Sequence, residues 1–183
     1  MSAFADHMRR MAGNNRWSND RLYQAVLALE PGAFDAPRTG FFPSIAETLN
    51  HILEVDRYYL DALEEGGIGV AIFAAFRPFD DPAALAAAQA VEDERLIVFC
   101  AGLNDADMER RVVSDRGEAG RFPERVDDLL AHLFVHQTHH RGQVHAMVSG
   151  TSVKPPQLDE FFLDFDAPVR RDELKRLELE EDR

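Results

Sequence analysis

A group of five histidines lies within fourteen consecutive positions near the end of the chain. Its members are His132, His136, His139, His140 and His145. Elsewhere the 183-residue chain contains only His7 and His51. A neutral imidazole binds divalent ions such as Zn²⁺ through a ring nitrogen. The group is therefore a candidate metal site, and the spacing of its members indicates which of them can share one ion.

The best pair for a common ion is His136 and His140. On a helical wheel these two lie nearest the apolar face of the stretch, and a separation of four residues places them one turn apart. They could instead be histidines at the edge of the core that hydrogen-bond to carboxylates, and their spacing alone leaves both interpretations open. His132, His139 and His145 point away from the apolar face, and we expect them to be solvated or to support the ligands.

A third ligand must come from another part of the chain. His51 lies inside the second predicted helix, beside its apolar face, whereas His7 lies near a chain end. His51 is therefore the better candidate. With a third histidine available, a metal site is favoured over histidines at the edge of the core. Periodicity by itself does not establish the role of His51.

The residue after His136 bears on the chemistry of the site. His136 to His140 match the H-E-x-x-H motif of metalloproteases, except that Gln137 stands where the glutamate base would be. An amide cannot take up the proton, so protease chemistry is disfavoured. A di-iron centre is also disfavoured, because it needs Glu-x-x-His pairs that this helix lacks. We expect one ion with an open coordination position, where water or substrate can be polarised. Imidazole suits Zn, Ni, Cu and Fe(II), so the metal stays undecided.

Apolar periodicity predicts four long helices that must position these histidines. They span about residues 4–29, 45–65, 83–100 and 123–150. Ser44 and Glu47 match a capping box at the start of the second predicted helix. Asp81 precedes a proline at the start of the third. We expect Pro123 to open the fourth helix and Gly150 to end it. The fold class is therefore all-α, a helical bundle whose interior commonly holds sites built from facing helices.

The segments between and after these helices are short or charged. Residues 66–80 are predicted to be a partly buried connection that could contain a short helical turn. The sequence of residues 108–122 predicts a small β-hairpin with its turn at 115–120. We place the bundle domain at 1–165. The charged tail, 166–183, has too little apolar surface to hold a helix firmly, although an exposed helix could form there.

Composition restricts the possible partners. A net charge of −13 and a pI near 4.9 disfavour binding to nucleic acids or anionic membranes. Cys100 is the only cysteine, so it has no disulfide partner within the chain, and it fits a small buried hydrophobe. The chain has no signal-peptide core and no apolar run of roughly 18 to 20 residues. We expect a soluble cytoplasmic protein that binds a small-molecule substrate.

The carboxylate of Asp56 falls near the centre of the apolar face of the second predicted helix. An unpaired carboxylate there would be costly. We therefore expect a buried partner, with Asn14, Asn15 and Trp17 as the candidates, and a ligand role is the less favoured alternative.

Three residues next to the histidines also have predicted roles. We expect Arg141 to form a structural ion pair. Gly142 suggests the close approach of another helix or a ligand, because a mid-helix glycine costs about 1 kcal/mol relative to alanine. Gln143 could hydrogen-bond to a metal-bound water or contribute to helix packing.

Two stretches resemble the DinB family. They are FFPSIAETLNHILEVDRYYL, similar to the family's second helix, and HLFVHQTHHRGQVHAMV, similar to its H-x-x-x-H-R-G-Q signature. NNRWSNDRL and GTSVKPPQLD also match the family pattern, so the resemblance covers most of residues 1–165. It implies an up-down-down-up four-helix bundle, often homodimeric, that binds a divalent metal. The implied ligands are His51, His136 and His140. Tyr58 and Tyr59 stand where many relatives look to have tryptophan, so the pocket wall should differ.

The resemblance also suggests a class of chemistry. Related members of the wider superfamily are S-transferases or isomerases that use a low-molecular-weight thiol cofactor. It implies that the metal activates such a thiol for attack on a small electrophile, because metal coordination deprotonates a thiol. Two alternatives remain open at this stage. One is a metal-dependent hydrolase of a small substrate, and the other is a non-catalytic stress-response protein that binds a metal or ligand.

Overall fold

A computed structural model describes residues 3–179, which are mostly helical. Within them the α-helices are α1 (Ala3–Leu27), α2 (Ile45–Leu63), α3 (Ala71–Ala75), α4 (Pro82–Ala101), α5 (Asp105–Met108), α6 (Val126–Ser149) and α7 (Ala167–Arg176). Two strands, β1 (Arg111–Asp115) and β2 (Arg121–Arg125), form an antiparallel hairpin between α5 and α6. The predicted combination of long helices with one small hairpin is confirmed. The short helix α3 is the helical turn expected within residues 66–80.

The predicted start signal of α4 is confirmed, and of the capping box predicted at α2 only the serine half forms, because the Glu47 carboxylate accepts from the Ser44 hydroxyl instead of its backbone N–H. The Ser44 hydroxyl accepts a hydrogen bond from the backbone N–H of Glu47 at 3.1 Å. At α4, the Asp81 carboxylate accepts one from the N–H of Ala83 at 3.1 Å, and Pro82 takes the first helical position. Each cap satisfies a backbone donor that has no partner inside its helix.

The predicted start of the fourth long helix is wrong. Pro123 lies in β2, opposite Val113, and α6 begins three residues later at Val126. A proline that can open a helix is equally tolerated in an edge strand, where its missing N–H removes no necessary ladder bond. Strand pairing therefore decides the conformation of Pro123.

The four long helices form the body of the protein. Contacts join α1 to α4, α4 to α2, α2 to α6 and α6 to α1, so α1 and α2 occupy diagonal positions. Two apolar clusters fill the interior, one around Tyr58 and Leu130 and the other around Leu22 and Leu49. The up-down-down-up order of the helices stays a prediction. Within the described residues, no helix has the length and apolarity needed to cross a bilayer.

A group of buried polar side chains, here called the polar layer, links all four long helices. Its members are Asn15 and Asn19 on α1, Asp56 on α2, Gln89 and Asp93 on α4, and Gln137 and Arg141 on α6. Asp56 accepts hydrogen bonds from the side-chain amides of Gln89, at 2.7 Å, and Gln137. The predicted partners of Asp56 on helix α1 are therefore wrong. A helical wheel shows which face is buried but not which neighbouring helix covers it.

The side chain of Arg141 lies at the centre of the polar layer. Its guanidinium donates to the amide oxygens of Asn15, Asn19 and Gln137. These neutral acceptors replace the predicted ion pair. Burial lowers the pKa of Arg141 to about 10, and the charges of Asp93 and Asp56 oppose that shift. The group therefore stays positively charged at neutral pH.

The C-terminal helix α7 packs against α1. The indole N–H of Trp17 donates to Glu173 at 2.7 Å, and Arg176 forms an ion pair with Asp20 at 2.6 Å. Leu174 is 3% exposed. These contacts supply the anchoring that the charged composition did not indicate. The boundary after residue 165 stays a prediction, and residues 180–183 of the predicted tail lie outside the described residues.

The thiol of Cys100 is fully buried in α4. Burial raises its pKa to about 12. The interpretation of Cys100 as a small buried hydrophobe is confirmed.

Candidate metal centre

The structure brings His51, His136 and His140 together between α2 and α6. One ring nitrogen of each lies within 4.8 Å of those of the other two. The Nε2 atoms of His51 and His136 are 3.0 Å apart. The spacing of one turn in α6 and the contact of α6 with α2 account for this cluster. The three histidines are placed to bind a metal ion.

The side chain of Gln143 orients one of the three rings. Its Oε1 lies 2.8 Å from His140 Nδ1, and its Nε2 lies 3.1 Å from Nε2 of His139. Because an amide oxygen only accepts, His140 Nδ1 carries the proton, and its Nε2 has the free lone pair. Hydrogen bonding to the second ring nitrogen commonly fixes a histidine ligand in this way. Gln143 therefore holds a histidine, a role that the sequence did not indicate.

The ring of His136 supports the same interpretation. Its Nε2 faces Nε2 of His51 at 3.0 Å. Two ring nitrogens this close need a proton or a cation between them, because their lone pairs would otherwise repel each other. A cation that accepts both lone pairs fits this arrangement. The residues present therefore suit a divalent ion.

The pKa values of all three histidines are lowered. Burial is the main cause for each, and neighbouring histidines add to it. The pKa of His51 falls to about 4 and that of His136 to about 3. Because only the neutral imidazole binds a metal, the site is in its ligand form at neutral pH without losing protons.

The three histidines line one wall of a cleft of about 520 Å³. The residues that complete the lining are Phe41, Val55, Tyr58, Tyr59, Phe73, Arg116, His132 and His139. None of these described residues is a carboxylate. A cleft of this size and apolar character suits a small-molecule ligand. A second depression, of about 400 Å³, contacts Glu47 and Glu54, but it shares only His51 with the histidine cluster.

The remaining histidines of α6 have separate positions. His132 packs its ring 4.9 Å from that of Tyr59, and His139 lies 4.8 Å from His140, so both stand at the exposed edge of the cleft. His145 contacts the carbonyl of Pro156 at 2.9 Å. It therefore holds the segment after α6 in place, which differs from the solvated or ligand-supporting role predicted for it.

Two neighbours of the histidines differ from what their sequence positions suggest. Gln137 is 0% exposed and donates to Asp56 in the polar layer, so it faces the core rather than the cleft. Gly142 is exposed, and a Cβ atom placed on it would meet no described atom within 4 Å. The close approach predicted for Gly142 is therefore wrong.

Arg116 and the aromatic residues Phe41 and Phe73 are parts of the cleft that the sequence did not reveal. They come from the hairpin, the loop before α2 and helix α3. No periodic pattern links these segments to the histidines. The one available signal was the aromatic content of residues 41–42 and 73–79 close to the helix that carries His51.

The family of the chain follows from comparison with known proteins. The sequence model of the DinB family matches residues 1–173. The chain belongs to the DinB family. A crystal structure of a DinB-like protein from Bacillus subtilis superposes on this DinB chain with a TM-score of 0.59. That protein is 14% identical, and the match covers 81% of this chain and 96% of the other. At this identity the likeness supports the fold alone. A search of curated proteins found no match.

Replacing any one of His51, His136 and His140 by alanine should remove stoichiometric metal from this DinB protein. Loss of an outer-shell partner weakens metal binding roughly 10- to 100-fold, and loss of a ligand should weaken it more. Elemental analysis of protein purified without a histidine tag measures the effect. The control is His7→Ala, which removes an exposed histidine of α1. Equal metal content in all four variants would contradict the site.

The Gln143→Leu variant should bind metal roughly 10- to 100-fold more weakly, because the Nδ1–H group of His140 loses its acceptor. Gln143→Glu keeps an acceptor oxygen and should retain most of the affinity. Competition with a chromophoric chelator measures both dissociation constants. If the two variants lose affinity equally, Gln143 does not act through His140.

Metal affinity should begin to fall only below the ordinary histidine pKa, because the pKa values of all three ligands are lowered, chiefly by burial. Protons compete for His51 only as the pH approaches about 4, and for His136 nearer about 3. An ordinary histidine would begin to compete near pH ~6.5. Chelator competition at a series of pH values, corrected for protonation of the chelator, tests this. A loss of affinity centred on the ordinary histidine pKa would show that the site is not desolvated.

Proposed function

We propose that this DinB protein is a metal-dependent enzyme of the thiol S-transferase type that acts on small electrophiles. The supporting observation is that three neutral imidazoles converge on an apolar cleft whose described lining contains no carboxylate. Such a ligand set leaves the charge of a divalent ion uncompensated and its coordination incomplete. Zn, Ni and Fe(II) all suit imidazole ligands. The homodimer that the family resemblance implies belongs to the same proposal.

The metal and the protein contribute different parts of this chemistry. His51, His136 and His140 would hold the ion, which would act as a Lewis acid that lowers the pKa of a coordinated thiol, and the proton of that thiol would pass to solvent. Among the protein residues, Gln143 fixes the ring of His140. Phe41, Val55 and Phe73 line the cleft with apolar surface that can hold an electrophile and exclude water.

The absence of a carboxylate from the described lining favours thiol chemistry over hydrolysis. A hydrolase of the H-E-x-x-H type uses a glutamate to take a proton from water. Here Gln137 stands at that position and points into the polar layer. A low-molecular-weight thiol bound to the ion loses its proton more readily than water does. Its deprotonation therefore depends less on a neighbouring general base.

An assay of conjugation tests the proposal. The metal-loaded protein is incubated with model electrophiles and several low-molecular-weight thiols, and loss of free thiol and formation of conjugate are followed. We expect thiol-dependent turnover that His140→Ala abolishes and His7→Ala retains. The reason is that His140 holds the ion, whereas His7 lies outside the cleft.

Each other outcome points to a different function. Turnover of the electrophile or an ester without thiol, lost in His140→Ala, would replace the transferase by a hydrolase. No turnover across a broad panel, with metal bound at one equivalent, would replace both enzymes by a non-catalytic metal- or ligand-binding protein.

A further inference from the structure

The tip of the β-hairpin carries Arg116 into the cleft that contains the histidine cluster. The backbone N–H of Arg116 donates to the carbonyl of Gly120 at 2.8 Å, and its own carbonyl accepts from Ala119. Gly117 and Gly120 have φ values of 62° and 104°, which favour glycine. The turn therefore has a defined backbone on both sides of Arg116.

This turn is attached to the wall of the cleft. The Tyr58 hydroxyl on α2 donates to the carbonyl of Asp115. The Asp115 carboxylate accepts from the N–H of Gly117 at 2.9 Å. The loop before α3 adds support, because a Cβ atom placed on Gly69 would lie only 2.8 Å from that of Asp115. Arg116 is thus presented by a supported turn, although its side chain is exposed.

The guanidinium of Arg116 has a neutral partner. Its Nη1 donates to the Tyr59 hydroxyl at 3.1 Å, and its Cζ lies 5.6 Å and 5.5 Å from the ring centroids of Tyr58 and Tyr59. Within residues 3–179, no carboxylate forms an ion pair with it at 4.0 Å or less. A guanidinium has five N–H donors, so most of them remain for a ligand. The two tyrosines hold the cation at the cleft, and the carboxylate of Glu124 interacts with it only at longer range, without a direct ion pair.

The cleft that holds this cation and the histidines also contains apolar side chains. Phe41, Val55 and Phe73 line the same cavity as Arg116 and the histidine cluster. Because the chain has a net charge of −13, its overall field does not attract anions. An anionic ligand therefore needs a local cation. Arginine binds carboxylates through two parallel hydrogen bonds, which a lysine cannot reproduce.

We propose that Arg116 is the carboxylate-recognition residue of the cleft. The ligand that binds here carries a carboxylate at one end, a thiol that reaches the metal site at the other, and an apolar connection between them. The inference rests on the proposed function, since it describes the thiol that the histidine-bound metal would activate. It makes Arg116 a specificity-determining residue of the same site.

The test uses full-length protein loaded with Co²⁺ in place of its native metal. It is titrated with mercaptocarboxylic acids of increasing chain length and with the mercaptoalcohols of matching length. Coordination of sulfur to cobalt gives an absorption band that reports binding without any turnover. For at least one chain length, the acid should bind about tenfold more tightly than the alcohol, the effect of one charge-assisted hydrogen-bonding contact.

Variants assign that preference to one side chain. Arg116→Gln should remove the preference for the acid, and Arg116→Lys should retain part of it, because lysine keeps the charge but loses the planar fork. Arg121→Gln is the matched control, since Arg121 is an exposed arginine of β2 that does not line the cleft. It should keep the full preference. Cobalt content and thermal unfolding of each variant show that the site and fold are intact.

The outcomes distinguish this inference from the proposed function. If both thiol series bind cobalt but no acid is preferred, or if Arg116→Gln keeps the preference, the inference is overturned while thiol binding stands. If neither series gives the band in a protein that holds cobalt, the thiol role fails and the inference fails with it.

Discussion

The buried polar layer is the constraint on which the rest of the structure depends. It places a charged arginine and two carboxyl groups inside a four-helix bundle, where each must find hydrogen bonds or destabilise the fold. Each of the four long helices contributes at least one member, so rotation of any one of them would break at least one of these buried hydrogen bonds. The burial of two carboxyl groups near Arg141 raises the pKa values of Asp56 and Asp93, the latter to about 6.

The metal site follows from that constraint. Gln137 binds Asp56 across the interface between α2 and α6, and His136 is its immediate neighbour on α6. Fixing Gln137 towards the core turns His136 and His140 towards α2, where His51 meets them. A glutamine that looks in sequence like a lost catalytic base is therefore a structural residue. It sets the rotation of the helix that carries two of the three histidines.

The outer wall of the cleft is built from segments with less regular structure. The hairpin, the loop before α2 and helix α3 each contribute a side chain to the lining of the cleft. The hairpin rests on α2 through Tyr58 and Tyr59. The loop before α3 is held by the Asp61 carboxylate, which accepts hydrogen bonds from the backbone of Ile68 and Gly69. The helices thus supply the three histidines, while the connections supply much of the outer wall of the cleft. Such connections are where ligand specificity usually varies on a shared fold.

The sequence by itself determined the local features. Helical periodicity and caps located the long helices, turn residues located the hairpin, and the helical wheel selected His136 and His140 as potential ligands from five histidines. The third, His51, needed the family motif, because its position beside an apolar face was ambiguous. Only the tertiary structure decided the hydrogen-bond partners of Asp56, Arg141 and Gln143. It also decided the strand conformation of Pro123 and the position of Arg116 in the cleft. The reason is physical: caps and periodicity act within about one or two turns of the chain. Buried hydrogen bonds and cleft walls join residues that are far apart in sequence, and packing alone chooses those pairs.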